Sequence, residues 1–309
     1  MLPRLILYTV TMGLCLGVPW ARADLPLTVE NLLTEANRWR IEMGVTYAGS
    51  DQRNLDARFT TLQTGPGQFI TLPAVVGTAR QNRDTLILTP GLRYGLSLDT
   101  ELYTRFSTIF DDTRIQNIGG NSHRFTKKFS DVQLGINHRF SYDDQTPACL
   151  GFIEIVLAEN TAFSGNDWSY GRTGLVGFTT YRSTDPIVLA LSGGYRFSLE
   201  RNTPAGHIDP GDVLFINPSI AFAVNNLVTL TSGLQWQWQQ QEVVNGIETG
   251  IRTTRSQIEL GLGYAWSRQT SLQLNTRADV TGDSGIQVSL VWIYKVPVNP
   301  DKFIQHGKN

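Results

Sequence analysis

Past residue 37 the chain is written in two-residue periods: twelve runs in which apolar and polar side chains alternate, joined by connections that are by turns short and long. An alternation of period two is the signature of a β-strand with one face kept from water. Residues 271–280 show it. Leu272, Leu274, Ala278 and Val280 fall on one side with Thr276, while Gln273, Asn275, Arg277 and Asp279 fall on the other. A two-sheet sandwich also needs this period, so alternation alone does not decide whether the apolar faces meet each other or meet hydrocarbon. The connections and the aromatic residues must decide it.

The spacing predicts strands over 38–49, 82–97, 100–113, 128–142, 149–163, 171–183, 187–200, 214–224, 227–241, 252–267, 271–280 and 286–296. The connections at 98–99, 184–186, 225–226 and 268–270 are short, and those at 50–81, 114–127, 201–213 and 242–251 are long. Those at 143–148, 164–170 and 281–285 are of moderate length. Asn225-Asn226 suits a two-residue hairpin, because Asn tolerates positive φ. Short turns gather at one end and long loops mostly at the other, and an even strand count returns both termini to the short-turn end. In a barrel of the bacterial outer membrane that end is periplasmic. The expected fold is therefore all-β: a closed antiparallel up-and-down transmembrane β-barrel of about twelve strands, preceded by a short helix. The stretch 50–81 is the least regular, and its residues 69–76 either extend the second strand or fold over the mouth.

The ends agree with export. Arg4, the apolar run from Leu5 to Val18 and the small-residue site Ala21-Arg22-Ala23 make residues 1–23 a secretory signal peptide, with an apolar run too short to span a bilayer as a helix. Leu14 stands where a lipidation site before Cys15 would want a small residue. Cleavage after Ala23 leaves Cys149 alone, so no internal disulfide staples the fold. The formal net charge of −1 then falls to about −3, which excludes nucleic acid as a partner. Residues 24–37 form an N-terminal segment in which Val29, Leu32, Leu33 and Ala36 share a helical face and Thr28 can cap its start. The barrel then occupies 38–296, and 297–309 is a C-terminal tail.

Aromatic residues identify the solvent. Trp39, Tyr94, Phe140, Trp266, Trp292 and Tyr294 lie near the short-turn ends of their strands, whereas Tyr47, Phe110, Tyr195, Phe197, Trp236 and Trp238 lie near the opposite ends. Two girdles of this kind are what two membrane–water interfaces require. The glycines within strands, Gly135, Gly177, Gly193, Gly194, Gly233, Gly261 and Gly263, suit the curvature of a closed wall.

A resemblance follows from two passages. Asn82-Arg83-Asp84-Thr85-Leu86, then Gly91-Leu92-Arg93-Tyr94-Gly95-Leu96 and, past a tight turn, Glu101-Leu102-Tyr103, resembles the second hairpin of outer-membrane transporters grouped with the phenol-degradation meta pathway. Val29-Glu30-Asn31-Leu32-Leu33, followed by a strand through Gly44 to Tyr47, is similar to the start of the Fap functional-amyloid secretion channel. That resemblance implies a lumen plugged by a short N-terminal helix. The chain departs from the amyloid channel in lacking its coiled-coil region. It also runs on beyond Tyr294, which would put the signal read by the barrel-assembly machinery at Trp292 and Tyr294.

With the apolar positions against lipid and lipopolysaccharide, the opposite positions line the lumen: Arg40, Glu42, Arg93, Glu101, Arg105, Asp131, Arg139, Glu154, Arg196, Glu200, Arg255, Glu259, Arg277 and Asp279. Seven arginines face seven acids. They either pair into a ladder that stiffens the wall or form a selectivity constriction. Twelve strands enclose more space than eight and less than the sixteen of general porins. Val29, Leu32 and Leu33 are the candidate plug residues, in the lumen or along its rim.

Enzymatic chemistry finds little purchase. His138 is outward between Ile136 and Phe140 with no nucleophile beside it, although Asp111, Asp112, His207 and Asp209 near the long-loop end could compose a rim protease that activates water. Metal-ligand clusters, phosphate-cradling glycine loops and cofactor motifs are absent from the sequence, so no cofactor is expected. The sequence is read as a non-enzymatic outer-membrane channel for small, possibly hydrophobic solutes or a secreted product. The alternatives are a closed barrel whose outer loops bind a surface partner, and the rim protease.

Overall fold

The computed structural model describes residues 32–55, 59–65, 67–73, 77–117, 120–160, 168–203, 206–249, 251–281 and 285–297. The expected signal peptide, Val29 and most of the C-terminal tail lie outside them. Among the described residues there are eighteen strands: β1 Trp39–Leu55, β2 Phe59–Gly65, β3 Gln68–Pro73, β4 Gly77–Gly95, β5 Thr100–Asn117, β6 Gly120–Ser141, β7 Ala148–Asn160, β8 Trp168–Thr184 and β9 Ile187–Ser198. They continue as β10 Arg201–Thr203, β11 Gly206–Asp209, β12 Val213–Ala223, β13 Val228–Gln239, β14 Glu242–Val244, β15 Ile247–Thr249, β16 Thr253–Ala265, β17 Thr270–Asp279 and β18 Gly285–Lys295.

Twelve of these close a barrel in the order β1-β18-β17-β16-β13-β12-β9-β8-β7-β6-β5-β4. Every neighbour is antiparallel, and the seam is sealed by β1 on β18 from Arg40↔Lys295 to Ser50↔Gly285. Closure leaves no sheet edge, the condition for strands in a medium that offers no hydrogen bonds.

Side chains obey the alternation around the wall. On β5, Glu101, Tyr103, Arg105, Ser107 and Ile109 are buried inward while Leu102 and Phe106 are exposed outward. On β13, Gln235 and Gln237 are buried between Trp236 and Trp238, which face out. The outer wall is a continuous apolar band in which Ile153, Leu189, Leu234 and Leu260 are each more than half exposed. A patch of that extent is not tolerated in water. At the short-turn end the band is rimmed by ring pairs: Trp39–Tyr94 at 4.6 Å, Trp292–Tyr294 at 5.8 Å and Tyr264–Trp266 at 6.4 Å between centroids.

Three expectations are corrected. The described residues of 114–127 are strand, since β5 and β6 stay paired out to Asn117↔Gly120. The 201–213 and 242–251 connections hold β10, β11, β14 and β15, which form a separate four-stranded sheet. In both cases backbone pairing extends beyond the apolar band, where hydropathy no longer marks it. The described part of the N-terminal segment is not helical: residues 32–33 bend, Ala36 bridges Gly95 and Asn37 takes a φ of 58°. There the chain bonds to the barrel wall through Thr34 and Asn37.

The two faces carry opposite mutational rules. Leu260→Arg on the outer face should lower the free energy of refolding into vesicles by about 2–4 kcal/mol. Gln273→Arg, one strand over and facing inward, should cost far less. Urea titration monitored by tryptophan fluorescence reads both.

Candidate functional site: a lumen closed from both ends

The connection between β1 and β4 folds inward. Its β2–β3 hairpin lies inside the barrel, paired from Phe59↔Pro73 to Gly65↔Gln68. Gly67 carries a φ of 65° at the tip, a turn conformation that residues with a Cβ rarely adopt. One face of the hairpin is apolar, and Leu62, Ile70 and Leu72 pack on Ile87 and Ile109 of the wall with Ala48 beside them. Phe69 packs against Leu175, Val213 and Phe215, its ring centroid 4.9 Å from that of Phe215.

Polar wall residues hold the same hairpin by its backbone and by the side chains of Gln63 and Thr71. Arg277 Nη1 donates to Gln63 O at 2.6 Å and Gln287 Nε2 to the same oxygen at 2.9 Å. Gln133 Nε2 reaches Phe69 O at 3.3 Å, and Arg196 Nη2 reaches Thr71 Oγ1 at 2.9 Å. The Gln63 side chain accepts from Asn217 Nδ2 at 3.2 Å and from Gln235. An inserted hairpin cannot complete its own ladder at its edges, and the wall supplies the missing partners.

The short-turn end is crossed by the chain before β1. Thr34 N donates to Glu101 Oε2 at 2.7 Å, and Glu101 Oε1 accepts from Arg93 Nη1 and Asn137 Nδ2, each at 2.6 Å. Asn37 N bonds Gly95 O at 2.7 Å. A Cβ on Gly95 would collide with the Glu35 carbonyl, so a glycine is required for this crossing. Leu32 then reaches the far wall and packs on Val188, Ala221 and Tyr181. Of the candidate plug residues Leu32 lines the lumen, Leu33 is only partly buried beside it, and Val29 lies outside the described residues.

Between hairpin tip and Leu32 lies a chamber of about 280 Å³. Leu150, Phe152, Val188, Ala221 and Ile293 make part of its wall apolar, while Arg40, Arg93, Arg105 and Arg277 make part of it cationic. Each of these guanidinium groups is answered by a carboxylate. Arg40–Glu42 is 2.9 Å, Arg93–Glu42 2.9 Å, Arg93–Glu101 2.6 Å and Arg277–Glu259 2.9 Å, and Arg105 contacts Glu154 directly. The chamber's lining also includes Pro218 and Leu234, which face outward on β12 and β13. Pro218 has no N–H for the ladder, and pairing there skips from Ile216↔Trp236 to Ser219↔Gly233.

The remaining expected lumen residues separate by height. Arg255 pairs with Asp279 at 2.6 Å. Asp131 and Arg196 line a small cavity of about 20 Å³ beside Phe69 and Thr71. Arg139 turns to Asp99 at 3.3 Å at the short-turn mouth. Glu200 is exposed beyond β9 and pairs with His207 at 3.0 Å instead of facing the lumen, because it stands past the last barrel residue of its strand.

The rim-protease residues are not gathered. Asp111 is engaged by Arg83, Thr85 and Thr113, Asp209 caps Gly211, and Asp112 meets His123 at 2.6 Å, not His207. Slight desolvation works against the Asp112 anion, but bonds from Arg114 and His123 hold its carboxyl below the ordinary aspartate value. Sequence reading missed Gln63, Asn217, Glu159 and Arg201, although the alternate glutamines Gln235, Gln237 and Gln239 were a visible sign of a wall built to donate. Arg201 and Glu159 pair at 2.7 Å.

No family model matches the sequence, and no curated protein matches it. Among solved structures the chain is similar to an outer-membrane channel from Pseudomonas putida F1, at 12% identity and a TM-score of 0.59, over 90% of this chain and 99% of that one. It is also similar to the translocator domain of the autotransporter NalP from Neisseria meningitidis, at 10% identity and a TM-score of 0.53, over 86% and 91%. The fold is that of a bacterial outer-membrane barrel. Such distant likeness carries architecture and not cargo, as these two differently employed barrels illustrate.

Two substitutions test the closures. Leu62→Asp with Ile70→Asp should detach the hairpin and raise single-channel conductance severalfold in planar bilayers, with the barrel still folded by its heat-modifiable gel shift. Glu101→Ala strips partners from Arg93, Asn137 and the Thr34 amide, and removing one member of a buried ion pair costs about 3–5 kcal/mol. A lower urea midpoint and faster proteolysis before residue 38 are the expected readings.

Proposed function

We propose that this barrel is an outer-membrane channel for small, largely apolar solutes, closed at rest by the β2–β3 hairpin and by the segment around Leu32. The observation that carries this reading is the chamber of about 280 Å³ that lies between those two elements, a volume near the lower end of small-molecule pockets. Its paired charges leave little net field for selecting ions, and its apolar patches and the lipid-facing Pro218 and Leu234 favour a hydrophobic cargo. In this reading both termini are periplasmic, the hairpin enters from outside, and solute leaves past Leu32 or between β12 and β13. The wall faces lipid and lipopolysaccharide, and Trp292 and Tyr294 serve the assembly machinery.

The four-stranded sheet β10-β11-β14-β15 favours one second reading, a shut barrel that presents this platform to a surface partner. Replacing residues 59–73 by a short Gly-Ser link and removing 24–37 separates the two. A channel should then admit a small neutral aromatic alcohol into proteoliposomes at least about tenfold faster than the intact protein. Equal, negligible rates would leave only the platform.

A further inference from the structure

The chamber wall changes character around the ring, and one row of inward residues crosses the change. Backbone register places Val188, Ala221, Thr231, Gly261 and Asn275 side by side on β9, β12, β13, β16 and β17, each strand about 4.8 Å from the next. Val188 and Ala221 begin the row as buried apolar contacts for Leu32. Thr231 and Asn275 end it with a hydroxyl and a carboxamide on either side of a glycine. A Cβ on Gly261 would stand 2.5 Å from Asn275 Oδ1 and 3.2 Å from the Thr231 Cβ, so the glycine is what leaves room for both side chains. One inward position away on their own strands, Ser219 of β12 and Gln273 of β17 bring a second hydroxyl and a second carboxamide to the same chamber.

Among the described residues, the side chains of Ser219, Thr231, Gln273 and Asn275 form no hydrogen bond or ion pair within the protein. The charged groups around them are engaged: Arg40 and Arg93 with Glu42, Arg105 with Glu154, and Arg277 with Glu259. Asn137 is spent on Glu101 and Asn217 on Gln63. The hydrogen-bonding capacity this patch offers is therefore neutral, donor and acceptor together. It adjoins the arc from β7 to β12 that carries Phe152, Val188 and Ala221.

We propose that this row is a binding subsite for solutes that join one apolar ring to an uncharged amide or hydroxyl group, with the ring against Val188 and Ala221 and the polar group toward Thr231 and Asn275. The inference rests on the channel reading and names the cargo class of that same chamber. Charge is the discriminator. A carboxylate entering here finds the guanidinium groups already paired and would leave water without a counter-ion. A carboxamide is answered on both sides, because Asn275 and Gln273 each carry donors and an acceptor. A bare hydrocarbon would cover those amides and leave them without a partner, which costs it affinity.

Benzamide and sodium benzoate have nearly the same shape and differ in charge, so they are the probes. Equilibrium dialysis against the full-length barrel in nanodiscs, with empty nanodiscs subtracted, gives a solute time to pass the closures. Benzamide should bind at least about tenfold tighter than benzoate, the equivalent of about 1.4 kcal/mol. Gln273→Leu with Asn275→Leu should weaken benzamide by about tenfold, while Gln273→Asn with Asn275→Gln, which keeps both carboxamides, should retain most of the affinity in a barrel of unchanged gel mobility. No saturable benzamide binding, equal affinities for benzamide and benzoate, or benzamide binding untouched by the leucine pair would overturn the proposal. If the leucine pair fails to fold, the comparison of benzamide with benzoate on the native barrel still decides. Flux of the neutral alcohol through the barrel lacking the hairpin and residues 24–37 separates the two readings: flux without preference for benzamide ends the subsite alone, and preference for benzamide without flux ends the channel alone.

Discussion

Everything in this molecule depends on the closed ring of backbone hydrogen bonds. Hydrocarbon offers no partner to an N–H or a C=O, so a sheet can stand in it only if its first and last strands pair, as β1 and β18 do over eleven residues from Arg40 to Ser50. Closure turns the usual protein inside out. The apolar faces go to the outside, and the inside inherits arginines, acids and glutamines that must satisfy one another.

That inherited polarity is what makes a plug possible. A wall of donors cannot stay unmatched at low dielectric, and the carbonyls of Gln63 and Phe69 on the inserted hairpin match part of it through Arg277, Gln287 and Gln133. On the opposite side the hairpin meets the few apolar inward residues, Ile87 and Ile109, with Leu62, Ile70 and Leu72. The same device recurs at the other end, where Glu101 holds Arg93, Asn137 and the Thr34 amide while Leu32 caps an apolar patch. Each closure is a mixed contact, polar on one side and greasy on the other, and the chamber between them has the same mixed character.

Charges inside the barrel are met largely in pairs. The inner chamber is balanced pair by pair, from Arg40–Glu42 to Arg277–Glu259. At the long-loop end Arg83 pairs with Asp111 at 2.6 Å beside Arg124 and Lys128.

The alternation along β5 and β13, the short turns and the two rows of aromatic rings determined a twelve-strand barrel and the inward set of Arg40, Glu42, Glu101 and Arg277, because each is a local property: period two assigns faces, and faces assign solvent. The same local signal falters where solvent stops being the sorting force. Residues 114–117 and 120–127 alternate without apolar contrast, so their strands are invisible to hydropathy, and Leu32 reads as one side of a helix although the chain there bends and Leu32 packs on the wall at Val188 and Ala221. What only the tertiary structure decided is where the β2–β3 hairpin goes. An exposed loop and an inserted plug use the same residues, and the choice is made by Arg277, Gln287 and Arg196, carried on strands more than a hundred residues away, whose hydrogen-bonding needs appear only once the ring has closed around them.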